Sequence, residues 1–274
     1  MEPLKGLLIV NLATNLPGPV AAMRLYRLGA AIMKIEPPSG DFLATAAPEY
    51  YRKLCDGQTV LALDLKTPEG KAVLDKHLKR ADLLLTASRP RAMERLGLDW
   101  PSLQAKYPRL CHVAIEGYLP PHENRAGHDL TYQAEAGLLV PPSMPKSLVS
   151  DLVAAEQAAG AALGLLLARD RGGDAGHATV AIAAAAESLA EPLLHGLTGD
   201  GPLGGRHSGY GIYAARDGFV ALAALESHFQ QQLQEALALE RINRDDLERV
   251  FLNRSASDWQ TWADQHDIPL AVVR

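Results

Sequence analysis

Leu7-Leu8-Ile9-Val10-Asn11-Leu12, then Leu16-Pro17-Gly18-Pro19, then Val20 to Leu28 closed by Gly29, then Ala31-Ile32-Met33-Lys34-Ile35-Glu36. The first run is almost unbroken apolar sequence of strand length, the pattern of a strand covered on both faces. The middle stretch predicts a helix, and Gly29 suits the left-handed position past its end. The last run is a second strand, stopped by Pro37-Pro38. Strand, helix and strand at this spacing form a βαβ unit with a right-handed crossover.

The alternation continues outward from that unit. Strands are predicted at 59–65, 82–86, 110–115 and 178–182, and helices from Thr67-Pro68, at 91–96, 101–106, 152–169 and 183–196. Repeated strand-then-helix predicts an α/β fold: an open, mostly parallel, Rossmann-like sheet with helices on both faces. Ligands of such sheets bind beyond the carboxyl ends of the strands. Functional residues are therefore expected in the loops that begin near Asn11, Glu36, Thr86 and Glu116. The segment 196–211 holds seven glycines and a proline. It divides a large domain, 1–200, which carries the site, from a smaller α+β domain, 201–274, built of a hairpin and short helices. Tyr210 to Ala224 supplies that hairpin, turning at Arg216-Asp217-Gly218.

Composition narrows the function. The chain has 274 residues, a net charge of −5 and 22% charged residues, with mean hydropathy near zero. The acidic balance points to neither nucleic acid nor an anionic membrane as partner. The Ala/Leu run from Leu152 to Ala168 carries Glu156 and Gln157 and reads as a buried helix rather than a membrane span. Cys55 and Cys111 make no CxxC pair, and no basic-then-apolar leader opens the chain, so a cytoplasmic setting is expected. The nine histidines do not cluster at metal-ligand spacing. The loop after the first strand lacks GxGxxG, and no P-loop, HExxH or G-x-S-x-G motif occurs.

The chemistry concentrates between Gly127 and Arg169. Gly127-His128-Asp129-Leu130-Thr131-Tyr132 is followed by a small-residue and proline run, then Ser150-Asp151 at the mouth of an Ala/Gly-rich helix. Each residue has an ordinary reading as well. Ser150-Asp151 reads as a helix N-cap, Asp129 as a turn residue, His128 as a hydrogen-bonded loop histidine, and Glu226 as a charge at a helix start. Ala154, Ala155, Ala158, Gly160 and Gly164 mark either close helix packing or ligand approach.

Several blocks together resemble the class III CoA-transferase and α-methylacyl-CoA racemase superfamily, the CaiB/BaiF-like proteins. They are Leu16-Pro17-Gly18-Pro19; Leu28-Gly29-Ala30 leading into Lys34-Ile35-Glu36-Pro37-Pro38-Ser39-Gly40-Asp41; and Leu63-Asp64-Leu65-Lys66-Thr67-Pro68-Glu69-Gly70. Arg89-Pro90, Glu94-Arg95-Leu96-Gly97-Leu98 and Ala215-Arg216-Asp217-Gly218 follow in the same order. The resemblance implies an acyl-CoA enzyme, with coenzyme A as part of the substrate, no separate cofactor and no metal, and a homodimer.

Gly127-His128-Asp129 is similar to the racemase form. That implies His128 and Asp151 as an acid/base pair that inverts the α-carbon of a 2-methylacyl-CoA, Asp129 and Glu226 in support, and Arg89 near the active centre. Pro17 and Gly18 belong to the implied binding loop. The amides opening the helix after Asp151 are expected to stabilise the enolate. Transferases of the superfamily use the aspartate at Asp151 as a nucleophile, which is the alternative. Where the family carries Asn-Arg-x-Lys, this chain reads Cys55-Asp56-Gly57-Gln58. That leaves Arg52 and Lys53 to meet the CoA phosphates, and it keeps open a non-catalytic paralogue that binds an acyl-CoA or a partner. The chain also stops short of the family's usual C-terminal extent.

Overall fold

A computed structural model describes residues Met1–Arg274. In chain order the first elements are β1 (Leu8–Asn11), α1 (Pro17–Arg27), β2 (Ala31–Glu36), α2 (Phe42–Ala46), α3 (Pro48–Cys55), β3 (Thr59–Ala62) and α4 (Pro68–Leu78). Then come β4 (Leu83–Thr86), α5 (Pro90–Leu96), α6 (Trp100–Lys106), β5 (Cys111–Glu116), α7 (Asp129–Glu135), α8 (Val149–Asp170), β6 (His177–Ala181) and α9 (Ile182–Leu194). The chain ends with β7 (Tyr210–Ala215), β8 (Gly218–Ala223), α10 (Ser227–Ala236), α11 (Arg244–Phe251), α12 (Ala256–Gln265) and β9 (Leu270–Val272). It divides into two compact units, Met1–Leu189 and Ala190–Arg274. The division falls inside α9, ahead of the glycine-rich stretch where the sequence places it.

In the first unit the six strands run in the order β3-β2-β1-β4-β5-β6, and every pairing is parallel. Alternate residues of β1, β2 and β4 feed two separate cores, as the two-residue period of a strand requires. Ile9, Leu83, Leu85, Cys111, Val113 and Ile115 join the core that includes Leu25 of α1 and the alanines of α8. Val10, Ile35 and Leu84 join Leu74 and Leu78 of α4, Met93 of α5 and Leu103 of α6. Burial on both faces explains the unbroken apolar runs.

α8 is the one helix long and apolar enough to cross a membrane. Its Ala154, Ala155, Ala158, Ala159 and Ala162 instead lie buried in the sheet core. Gly160 and Gly164 take no part in this, for a Cβ at either would meet nothing within 4 Å.

One feature of the sheet is absent from the sequence reading. Lys34 of β2 is fully buried, its Nζ donating to Glu36 Oε1 at 2.5 Å and to Asp41 Oδ2 at 2.7 Å. The Tyr51 hydroxyl donates to the same Glu36 oxygen at 2.8 Å. Asp41 Oδ1 also accepts the amides of Leu43 (3.0 Å) and Asn15 (3.1 Å). The network therefore ties the loop after β1 to α2 and α3. Pairing and hydrogen-bonding the charges in this way is what makes a buried cluster of them tenable.

In the second unit β7, β8 and β9 form an antiparallel sheet in that order. β7 and β8 join at Arg216-Asp217, where Asp217 Oδ1 accepts the Ala256 amide at 2.7 Å. The strand-like run near Arg274 pairs with β8 as β9. Tyr213, Val220, Leu233, Leu247, Phe251 and Trp259 lead the core of this unit.

Candidate active site

With β2 and β3 on one side of β1 and β5 and β6 beyond β4, the strand order reverses between β1 and β4. Loops leaving these two strands diverge and open a crevice, the usual ligand position in such sheets. A cavity of about 220 Å³ lies there, within the first unit. Thr14, Asn15 and Pro17 line it from the β1 exit, and Ser88 and Arg89 from the β4 exit. Glu116 and Gly117 line it where β5 ends, and His128, Tyr132 and Asp151 complete the wall.

Local structure explains how the last three are held. His128 is not a free loop residue; it is the N-cap of α7. Thr131 Oγ1 accepts the His128 amide at 3.0 Å and returns a bond to the His128 carbonyl at 2.8 Å. Tyr132 is buried against two glycines. A Cβ on Gly127 or Gly117 would stand 2.5 Å from the Tyr132 side chain. Tyr118 packs edge-on to Tyr132 at 5.2 Å, and Arg125 sits over Tyr118 while bonding Glu135 at 2.5 Å.

Asp129 is buried, with both carboxylate oxygens engaged. Oδ2 accepts from Gln133 Nε2 at 2.5 Å and Oδ1 accepts the Asp151 backbone amide at 3.0 Å. A carboxylate at this place satisfies an orphan donor of the first turn of α8 and complements the helix dipole. That turn begins at Val149, three residues before the sequence reading places it. Asp151 is thus inside the helix rather than its cap, and its carboxyl has no partner in the protein. Burial, and then the charge of Asp129, push that carboxyl up to about 7.

The start of α8 does not supply the expected oxyanion donors. The Asp151 amide is spent on Asp129, and Leu152 donates to the Leu148 carbonyl at 3.0 Å. Of the cationic groups on the wall, Arg125 pairs with Glu135, whereas Arg89 joins no ion pair and its charge acts on Tyr132.

Three of the other expected site residues, Gly18, Arg52 and Lys53, do not line this cavity. Gly18 is buried, where a Cβ would stand 2.0 Å from Ala13 Cβ, so it serves the close approach of α1 to the β1 loop. Arg52 and Lys53 are exposed on α3, Arg52 pairing with Glu49 at 3.8 Å, and neither lines the cavity. Glu226 belongs to the second unit, where it precedes α10.

A second cavity of about 250 Å³ shares Thr14 and Ser88 with the first. Its wall is apolar, through Ile35, Pro37, Pro38, Leu63, Leu65 and Met93, with Lys66 at its margin. The Leu63–Gly70 block builds that margin. Asp64 Oδ1 accepts the Lys66 amide at 2.9 Å, and Thr67 Oγ1 donates to the Asp64 carbonyl at 2.8 Å. Thr67 also caps α4 at the Gly70 amide, and a Cβ on Gly70 would lie 2.1 Å from the Asp64 carbonyl oxygen. The motif is thus a tight turn that only glycine permits. The sequence reading missed this slot, although the block sits where the strand-end rule directs attention. No three His, Cys, Asp or Glu side chains gather to hold a metal ion.

Human "Alpha-methylacyl-CoA racemase" is 30% identical to this chain over 290 residues, 93% of this chain and 74% of that protein. The "Succinate--glutarate CoA-transferase" of Agrobacterium fabrum is 28% identical, covering 92% of this chain and 70% of its own. Among solved structures, the Mycobacterium tuberculosis protein Rv3272 superposes with a TM-score of 0.86 at 25% identity, covering 100% of this chain and 84% of that one. A CaiB/BaiF family protein from Brucella suis superposes with a TM-score of 0.83 at 23% identity, over 99% and 84% respectively. A sequence profile of CoA-transferase family III matches residues 4–274. The chain belongs to CoA-transferase family III, whose members process acyl-CoA thioesters as racemases and CoA transferases.

Proposed function

We propose that this protein inverts the α-carbon of a 2-methylacyl-CoA by two-base proton transfer between His128 and Asp151. The observation that carries the reading is that both residues line one cavity while Asp151 sits near 7. Inversion needs one group to take the α-proton and another to return a proton on the opposite face. A carboxyl poised near neutrality is suited to either half, and an imidazole is a natural partner for it. The enolate between the two steps carries charge on the thioester oxygen, which Arg89 is placed to offset. Asp129 acts as a positioning residue through the Asp151 amide.

Coenzyme A would lie along the strand exits, its adenine in the apolar slot and Lys66 at its phosphates. The thioester would then pass Thr14 and Ser88 into the first cavity. We place the enzyme in the cytoplasm as a homodimer. Exposed apolar side chains on the sheet of its second unit support self-association, with Ile212 63% and Phe219 53% exposed.

Deuterium incorporation at the α-carbon of a 2-methylacyl-CoA in D₂O tests the reading. Exchange in the wild type that is lost in both His128→Ala and Asp151→Ala is expected; wild-type levels in either variant would refute it. The second reading is CoA transfer, favoured by the likeness to a CoA transferase and by the unpartnered carboxyl of Asp151. There an Asp151 oxygen attacks the thioester carbonyl, CoA leaves as thiolate, and a mixed anhydride remains. Hydroxylamine trapping would then modify Asp151. A carboxyl about half protonated at pH 7 is the weaker nucleophile, so racemisation is preferred.

A further inference from the structure

The first cavity contains a carboxyl that the proton-transfer scheme leaves unused. Glu116 is the last residue of β5, half-buried in the cavity wall. Nothing in the protein donates to its carboxyl or pairs with it. Burial, and then the charge of Glu123, lift it to about 7. Near neutral pH much of it therefore stands as the acid, a hydroxyl donor.

The remaining wall is polar in keeping. Asn15, Ser88 and Arg89 face the same space, while its hydrocarbon comes in short patches, at Pro17, Ala87, Ile115, Ala126 and Ile182 and the ring of Tyr132. An alkyl group seated here would strip water from these polar groups and give nothing back. An acyl group bearing oxygen would replace the lost water bonds. A site built to bond a substrate oxygen also rejects the analogue that lacks it far more sharply than an apolar pocket rejects an extra methylene.

We infer that Glu116 is the acyl-specificity residue, donating a hydrogen bond to an oxygen carried on the acyl chain, so that the substrate class is a hydroxy-, oxo- or carboxy-bearing branched acyl thioester. This deepens the reading of the first cavity as an acyl-CoA site and rests on it.

The test compares 3-hydroxy-2-methylbutyryl-CoA with 2-methylbutyryl-CoA, which differ by one oxygen. Binding is read by calorimetry in an Asp151→Asn background, so that no turnover intervenes. The hydroxylated ester is expected to bind about tenfold tighter, the range of one well-placed hydrogen bond. Glu116→Ala should bring the two esters within about twofold of each other, and Glu116→Gln, whose amide still donates, should keep most of the preference. Equal affinities in the Glu116 background, or a preference that survives Glu116→Ala, overturn the inference alone. If neither ester binds, the acyl-CoA reading falls and takes this inference with it.

Discussion

The Asp129 carboxylate holds the backbone amide of Asp151 at 3.0 Å while its charge raises the Asp151 carboxyl. One residue thus positions the other's main chain and tunes its side chain. Asp129→Asn separates the two effects, since the amide oxygen still accepts the bond but the charge is gone. The pH limb of α-proton exchange assigned to Asp151 is expected to move to lower pH. Burial remains the larger cause, so the limb should stay above the ordinary carboxylate range. A pH profile of kcat/KM checks this, and an unmoved limb counts against the coupling.

Asp151 should also mark the stability of the fold. Its folded value, about 7, lies above its unfolded value of 3.8. Between those values the folded state holds the proton that the unfolded chain has lost, so stability falls as pH rises through the window. Above about 7 the penalty is complete. Asp151→Asn should match the wild type near pH 4 and exceed it by up to about 4 kcal/mol at pH 8. Thermal unfolding at the two pH values reads the difference.

Lys34→Met leaves Glu36 and Asp41 buried without their cation. A loss of about 3–5 kcal/mol is expected in denaturant unfolding. Asn15 is tied to the same cluster, so the variant should also raise KM through the β1 loop.

Lys66→Ala is expected to weaken CoA binding about tenfold, the scale of a charge-assisted hydrogen bond. Arg52→Ala and Lys53→Ala should leave binding within about twofold. Calorimetric titration with free CoA distinguishes them, and the reverse ranking would move the phosphate site to α3.

Much of this architecture is legible in the residues themselves. β2 begins and ends where its apolar run does, and the crevice lies at the loops after Asn11, Thr86 and Glu116. The misses have physical reasons. α7 opens on His128, which lacks the Ser, Thr, Asp or Asn signature of a start, and α8 opens on Leu148, so Ser150-Asp151 draws the boundary too late. The burial of Lys34 depends on Asp41, brought back by the loop and α2, and no local pattern reports such a partner. Arg52 and Lys53 are basic and near the expected block, yet proximity in sequence says nothing about which face of α3 meets a ligand.

Because the crevice arises where β1 and β4 send their exits apart, its existence is owed to topology and not to any residue that lines it. Arg89, Glu116 and Asp151 decorate an opening that would persist without them. Selectivity can therefore drift by single exchanges at the rim while the hydrophobic layers beneath stay untouched, which makes this scaffold a natural starting point for re-engineered thioester enzymes.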